Sequence, residues 1–381
     1  MWKIPLKPLE LPEERSAALA VLRDGIGEAL AGGIAVAPGA DAGEVPETVS
    51  PGVAAVVTTS GSTGRPKRTV LGREALRASA AGTEAALGGP GSWLLTLPPG
   101  HVAGFQVVTR AVLSGSEVTP VDTSEGFTPE AFVAGSRALP PGRRYVSLVP
   151  TQLKRLLAEP AARAELGRFD GVLIGGAPLD AATAERARQV AQIRTTYGMT
   201  ETCGGCVYDG TPLRDVRIRI LDGEIHLGGP VLAEGYLGDD QRDAAFYTDS
   251  EGRWFRTADR GRIVDGRLRV DGRLDDMINT GGVKVPPRAV DDCIEGLPGV
   301  AESCTFGLPD PEWGEVVASY VCVVPGTGLA GERIRGLVRE RLDHYFAPRS
   351  VVVTEDPPRL PNGKLDRRRI REAFPSREEH D

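Results

Sequence analysis

Apolar positions along the chain follow two rhythms. Through the first two-thirds, residues 92–98 (SWLLTLP), 144–150 (RYVSLVP) and 170–178 (DGVLIGGAP) are short, nearly continuous apolar runs ending in turn residues. Runs of this kind predict buried strands. Between them lie stretches with helical spacing, residues 151–166 (TQLKRLLAEPAARAEL) and 180–192 (DAATAERARQVAQ), the second with Asp180 as its candidate N-cap. Strands alternating with helices predict an α/β sheet. From Val216 to Val270 the texture changes to alternating residues around Asp-Gly pairs, as in VRIRILDGEIHLGG and GRIVDGRLRVDGR, which predict hairpins. After residues 272–277 (GRLDDM) a smaller unit begins, with a helix (RAVDDCIEGL), a strand (VVASYVCVV) and a basic helical tail (KLDRRRIREAF). The boundary falls at about Asp275, giving a large domain over residues 1–274 and a small one over 275–381.

Composition narrows this picture. A chain of 381 residues with 41% hydrophobic and 25% charged positions has room for about two domains, each with its own core. The net charge of −7 argues against a general nucleic-acid-binding face. No apolar stretch approaches a membrane span, and the first residues lack the basic-then-apolar order of a signal peptide. Five scattered cysteines predict no disulfide framework and fit a reducing, cytoplasmic location. Cys203 and Cys206 have metal or redox spacing, but the other three thiols are isolated and there are only four histidines. Packing beside a pocket is the expected role of that pair.

The candidate chemistry begins at residues 54–71, AAVVTTSGSTGRPKRTVL, where an apolar strand runs into small hydroxyl and glycine residues and then into Arg65-Pro66-Lys67. Successive backbone N–H groups of such a loop can converge on phosphate oxygens, because nothing bulky holds the chain away. Thr59, Ser60, Ser62 and Thr63 add hydroxyl donors, and Lys67 adds a point charge. At about 1.5–3 kcal/mol per charge-assisted hydrogen bond, a few such bonds suffice to hold a triphosphate. Gly61 and Gly64 have only two residues between them and Pro66 precedes the lysine, so the loop does not follow the Walker pattern. On this stretch alone, an ordinary surface loop is the alternative.

Residues 58–67 (TTSGSTGRPK) resemble the phosphate loop of the adenylate-forming acyl-CoA synthetase superfamily, and five further segments follow in that superfamily's order. They are GGAP from Gly175, YGMTET from Tyr197, FRTADRG from Phe255, GRLDDMINTGGVKVPP from Gly272 and PPRLPNGKLDRR from Pro357. The resemblance implies a large N-terminal α/β domain of layered sheets and helices, shortened at its N-terminus, and a small mobile α+β C-terminal domain. It also implies ATP, Mg²⁺ and CoA. Thr59, Ser60, Gly61, Ser62, Thr63, Gly64 and Lys67 would cradle the phosphates, and residues 175–178 would form the adenine turn through Gly176, Ala177 and Pro178, with Gly175 at the acid substrate. Tyr197, Gly198 and Met199 would complete the nucleotide site, with Thr200 on a phosphate and Glu201 on Mg²⁺. Asp259 would hold the ribose, Arg273 the ribose or a phosphate, and Asp275 would be the hinge. Lys364 would bridge the acid and the α-phosphate during adenylation, and Gly281 and Gly282 would line the pantetheine passage after the small domain rotates.

Only some fifty residues precede the phosphate loop, far fewer than in most of the superfamily. Its compact members include the o-succinylbenzoate–CoA ligases of menaquinone biosynthesis, which residues 97–115 (LPPGHVAGFQVVTRAVLSG) and 200–213 (TETCGGCVYDGTPL) resemble. That resemblance implies adenylation of the succinyl carboxylate of the acid and transfer of the acyl group to CoA. His101 would stack on the aromatic ring or help close the thiolation channel, and Gly204 and Gly205 would floor the pocket beside Cys206. The substrate's second carboxylate needs a cationic partner if it is buried, which Arg110 can supply; a solvent-facing charge on an amphipathic helix is the alternative. Other readings are a different aryl- or fatty-acyl-CoA ligase, a freestanding adenylation enzyme loading a carrier protein, and a non-catalytic nucleotide-binding protein. The partners expected are small molecules, with neither nucleic acid nor membrane, and association between copies stays open.

Overall fold

Strands that are apolar on both faces need cover on both sides, and helices supply it here. The structure, a computed structural model, describes residues 2–41, 43–59, 67–124, 126–238, 243–274, 276–359 and 365–374. Among these residues the strands form four sheets. The first has the order Gly235–Tyr236, Lys67–Gly72, Val53–Thr59, Ala35–Pro38, Ile4–Leu9, Thr48–Val49. The second runs Thr211–Pro212, Gly204–Tyr208, Ile193–Met199, Gly171–Ile174, Arg144–Leu148, Ser92–Leu95, Val118–Pro120, with the last five strands mutually parallel.

Helices Arg15–Leu30, Arg73–Leu87 and Val102–Ser114 pack together between these two sheets, and their side chains merge with both in one core. On the far face of the second sheet, helices Pro129–Ala138, Pro150–Ala158 and Pro160–Leu166 bury Phe132, Leu153, Leu156 and Leu166 in a second core. Each such side chain contributes roughly 1.5–3 kcal/mol. The predicted helix over residues 151–166 is in fact two. Glu159 is extended (φ −95°, ψ 119°) because Pro160, which opens the second helix, disfavours helical backbone in the residue before it. Asp180 is an N-cap, accepting from Thr183 N at 2.8 Å.

The predicted hairpins form the third sheet, in which Arg217–Leu221 pairs with Glu224–Gly228 and the long strand Gly252–Val264 pairs with Arg267–Arg273. The fourth sheet belongs to the C-terminal unit. Helices Pro287–Glu295 and Gly331–Arg341 cover one face through Val290, Ile294, Ile334 and Val338, while Ile370 and Phe374 pack on Phe306 in a separate cluster. Lys154 reaches this unit from helix Pro150–Ala158, donating to Ala301 O at 2.5 Å while pairing with Asp180 Oδ2 at 3.1 Å. No helix among the described residues is long and apolar enough to cross a membrane.

Candidate active site

Because Ser92–Leu95, Arg144–Leu148, Gly171–Ile174 and Ile193–Met199 are parallel, their C-terminal ends share one edge of the sheet. Ligands of open α/β sheets bind at that edge. Gly175, Gly176, Ala177 and Pro178 follow directly from one of these strands, and Thr200 and Glu201 from its neighbour. His101 is the exposed N-cap of helix Val102–Ser114, on the connection leaving a third. The chain after Met199 turns sharply: Thr202 Oγ1 accepts from Met199 N at 3.0 Å and donates to Gly204 O at 2.8 Å. Gly198 (φ +156°) lies against the returning strand so closely that a Cβ there would sit 2.2 Å from Gly204 O. No other residue fits, and the tight return holds Thr200 and Glu201 buried at its tip.

The turn that carries Glu201 lies against the strand Lys67–Gly72. Tyr236 Oη donates to Glu201 Oε1 at 2.5 Å, and Lys67 Nζ lies 5.9 Å from the centre of the same tyrosine ring. Thr59 and Lys67 pair across the ends of their antiparallel strands, the second of which also pairs with Gly235–Tyr236. One buried carboxylate suits Mg²⁺, which takes one or two protein carboxylates and completes its shell with substrate phosphates and water. Among the described residues there is no group of three or more histidine, cysteine or acidic side chains able to hold a metal by themselves.

A second cluster joins the sheet edge to the third sheet. Tyr197 Oη donates to Asp259 Oδ2 at 2.7 Å, and Arg273 Nη1 stands 3.6 Å from Asp259 Oδ1 across the ladder. Burial first, and the Asp259 charge second, push the Tyr197 phenol well above its ordinary range, so it remains a donor. Asp259 is aimed by a local distortion. Ala258 has φ +57° within a strand, and the neighbouring register slips between Arg260 and Gly261. Thr257 Oγ1 accepts from Asp259 N at 3.0 Å and Glu224 Oε1 accepts from Ala258 N at 3.1 Å, which hold the strained residue in place.

Arg110 is not a surface charge. Its helix is buried continuously from Gly104 to Ala111, and the guanidinium lies 5.2 Å over the Trp93 ring with Nε unpartnered. No carboxylate among the described residues lies within ion-pairing distance, and burial lowers its affinity for its proton. One turn earlier on the same helix, Gln106 donates through Nε2 to Cys203 O and to Ser79 Oγ (3.0 Å), beside Gly204, with its own Oε1 unpartnered. Cys203 and Cys206 are fully buried, and burial pushes both thiols far up, Cys206 to about 12. They are packing residues in the core between the sheets.

This geometry agrees with the comparisons. The family model of the AMP-binding enzymes matches residues 8–237, and that of the AMP-binding enzyme C-terminal domain matches residues 289–364. The chain is 42% identical over 340 residues to a probable 2-succinylbenzoate–CoA ligase of Mycobacterium tuberculosis, covering 87% of each. The chain belongs to the AMP-binding enzymes, close to their 2-succinylbenzoate–CoA ligases. It is also 34% identical over 328 residues to the 2-succinylbenzoate–CoA ligase of Salmonella typhimurium, covering 82% of this chain and 67% of that one. The o-succinylbenzoate CoA synthetase of Bacillus subtilis, solved with its acyl-adenylate intermediate, shares the fold with a TM-score of 0.74 at 23% identity, over 97% of this chain and 78% of that one.

Of the positions expected of an AMP-binding enzyme, Ser60, Gly61, Ser62, Thr63, Gly64, Asp275 and Lys364 lie outside the described residues. Gly281 and Gly282 form the two-residue turn between Ile278–Thr280 and Val283–Val285, with φ of +57° and +83°, and so have a local reason to be glycine. Tyr236 and Gln106 escaped the sequence reading. Tyr236 lies 35 residues from Glu201 in a two-residue strand, which leaves no periodic signal. Gln106 had one: with Arg110 it makes a polar i, i+4 pair inside a mostly apolar helix.

Proposed function

We propose that the protein is an ATP-dependent 2-succinylbenzoate–CoA ligase acting in menaquinone biosynthesis. The observation that carries the choice of acid is Arg110, a buried cation without an acidic partner among the described residues, on the helix that begins at His101. A buried guanidinium without a counter-ion is costly, and an anion delivered by the substrate offsets that cost only while the substrate is bound. The acid retains an aromatic carboxylate after its succinyl carboxylate has reacted, and Arg110 is assigned to that second group.

In the first half-reaction an oxygen of the succinyl carboxylate attacks the α-phosphorus of ATP, and pyrophosphate leaves. Asp259 accepts from the ribose hydroxyls and is itself oriented by Tyr197 and Arg273. Lys67 and Thr200 face the phosphates, and Lys364 neutralises charge between the carboxylate and the α-phosphate. Glu201 would hold Mg²⁺, which when bound would supply positive charge at the departing pyrophosphate. In the second half-reaction the CoA sulfur attacks the acyl carbonyl carbon, the C–O bond to AMP breaks, and the thioester forms. The small domain, divided from the large one at about Asp275, would turn between the two steps and exchange Lys364 for the Gly281-Gly282 turn.

Pyrophosphate release measured with 2-succinylbenzoate and with benzoate, each with and without CoA, tests the whole reading. Release with 2-succinylbenzoate followed by a CoA thioester is the expected result. Equal turnover of benzoate would point to another aryl-CoA ligase, and adenylation without thioester formation to an enzyme that loads a carrier protein.

A further inference from the structure

We infer that Tyr236 is a positioning residue that sets Glu201 and Lys67 together, an inference that rests on the reading of Glu201 as the Mg²⁺ ligand. The two residues reach the site from different sheets, since Lys67 opens a strand of the first and Glu201 caps a strand of the second. Tyr236 lies between them, donating to Glu201 Oε1 at 2.5 Å with its ring centre 5.9 Å from Lys67 Nζ.

The segment that carries it is fixed on every side. Gly235 and Tyr236 pair with Val70 and Thr69, and the flanking Glu234 and Leu237 donate to Val70 O and Arg68 O, each at 2.8 Å. Ala233 N donates to Glu201 O at 2.8 Å, and Arg253 holds the carbonyls of Ala233 and Glu234 at 2.7 and 2.8 Å. Tyr236 N donates to Asp243 Oδ1 at 2.6 Å, and its ring packs edge-on against Phe246. Both the tyrosine and the glutamate are more than nine-tenths buried.

The choice of a phenol has a chemical reason. A lysine or arginine on Glu201 would neutralise the carboxylate and compete with a divalent cation. A phenol fixes one oxygen by a short charge-assisted bond, leaves the full negative charge in place, and leaves Oε2 without a protein partner among the described residues. The same ring face offers Lys67 a cation–π contact that orients its ammonium, with no acidic partner for it among the described residues.

The test is calorimetric binding of ATP to the full-length protein, with Mg²⁺ and with EDTA. Tyr236→Phe keeps the ring and all the backbone pairing and removes only the donor. The expected result is unchanged affinity in EDTA and a loss of about tenfold in the Mg²⁺-dependent part. Tyr236→Leu, which removes the ring as well, should also weaken binding in EDTA. In a Glu201→Gln background, Tyr236→Phe should cost nothing further. Tyr236→Phe with full Mg²⁺ dependence beside a Glu201→Gln variant that has lost it overturns the inference, as does additivity of the two losses. Glu201→Gln that keeps full Mg²⁺ dependence overturns the reading of Glu201 itself, and the inference with it.

Discussion

Arg110→Met separates a residue kept for stability from one kept for substrate. The side chain is enclosed, stacks on Trp93 at 5.2 Å and has an unpartnered Nε. The stacking contributes about 2 kcal/mol when desolvated. Against it stands the burial of an uncompensated cation, and exchanging buried charge for a well-packed apolar side chain of similar volume is commonly neutral or stabilising by about 1–4 kcal/mol. The melting temperature of Arg110→Met should therefore hold or rise. Activity should move the other way. A substrate carboxylate left buried without its partner costs about 3 kcal/mol, or roughly 10²-fold in kcat/KM. The assay is pyrophosphate release with 2-succinylbenzoate and with 4-oxo-4-phenylbutyrate, which lacks the ring carboxylate. The wild type should prefer the first acid strongly, and the variant should lose that preference while turning over the second acid unchanged. Equal losses on both acids, or a melting temperature lower by several degrees, would refute the assignment and make Arg110 a structural residue.

Two further outcomes follow from the same physics. Lys364→Ala should slow adenylation by roughly 10²–10³-fold while leaving thioester formation from supplied acyl-adenylate intact, which single-turnover kinetics of each half-reaction will separate. Burial pushes the Glu295 carboxyl up to about 7, against the opposing pull of Lys154 and of Ser303 N, which donates to it at 2.9 Å. A carboxyl whose folded value lies above its unfolded one contributes its full stability below about pH 4.3 and loses it as the pH rises toward 7. Glu295→Gln should therefore be more stable than the wild type by about 2–3 kcal/mol at pH 8, with most of that difference gone at pH 5. Denaturant midpoints at the two pH values decide it, and a pH-independent difference would contradict the argument.

Much of this molecule can be read directly from the chain. Buried strands such as Ser92–Leu95 and Gly171–Ile174 stand out because a run apolar on both faces has no other stable use. Hairpins at Asp222-Gly223 and Asp265-Gly266 stand out because those pairs tolerate positive φ, and all four residues have it. Pro160 carried a legible break that the helical spacing on either side obscured. Other features leave no local mark. The left-handed Ala258 that aims Asp259 is an ordinary residue held by Glu224 and Thr257. Arg110 reads as amphipathic or as buried according to what packs against its helix, and a helix placed between two sheets has no solvent side.

The sequence by itself determined which chemistry the chain can carry, because phosphate-facing loops, an acid after a glycine turn and a lysine in a basic tail are short patterns whose spacing is set by the backbone. Tertiary structure alone decided which of those groups share an electrostatic environment. Tyr236 touches Glu201, and Arg110 goes without an acid among the described residues, only because separate sheets and helices were brought to particular distances. Contact between residues far apart in the chain is a property of packing, and the energy of a buried charge depends on that packing more than on the residue that bears it.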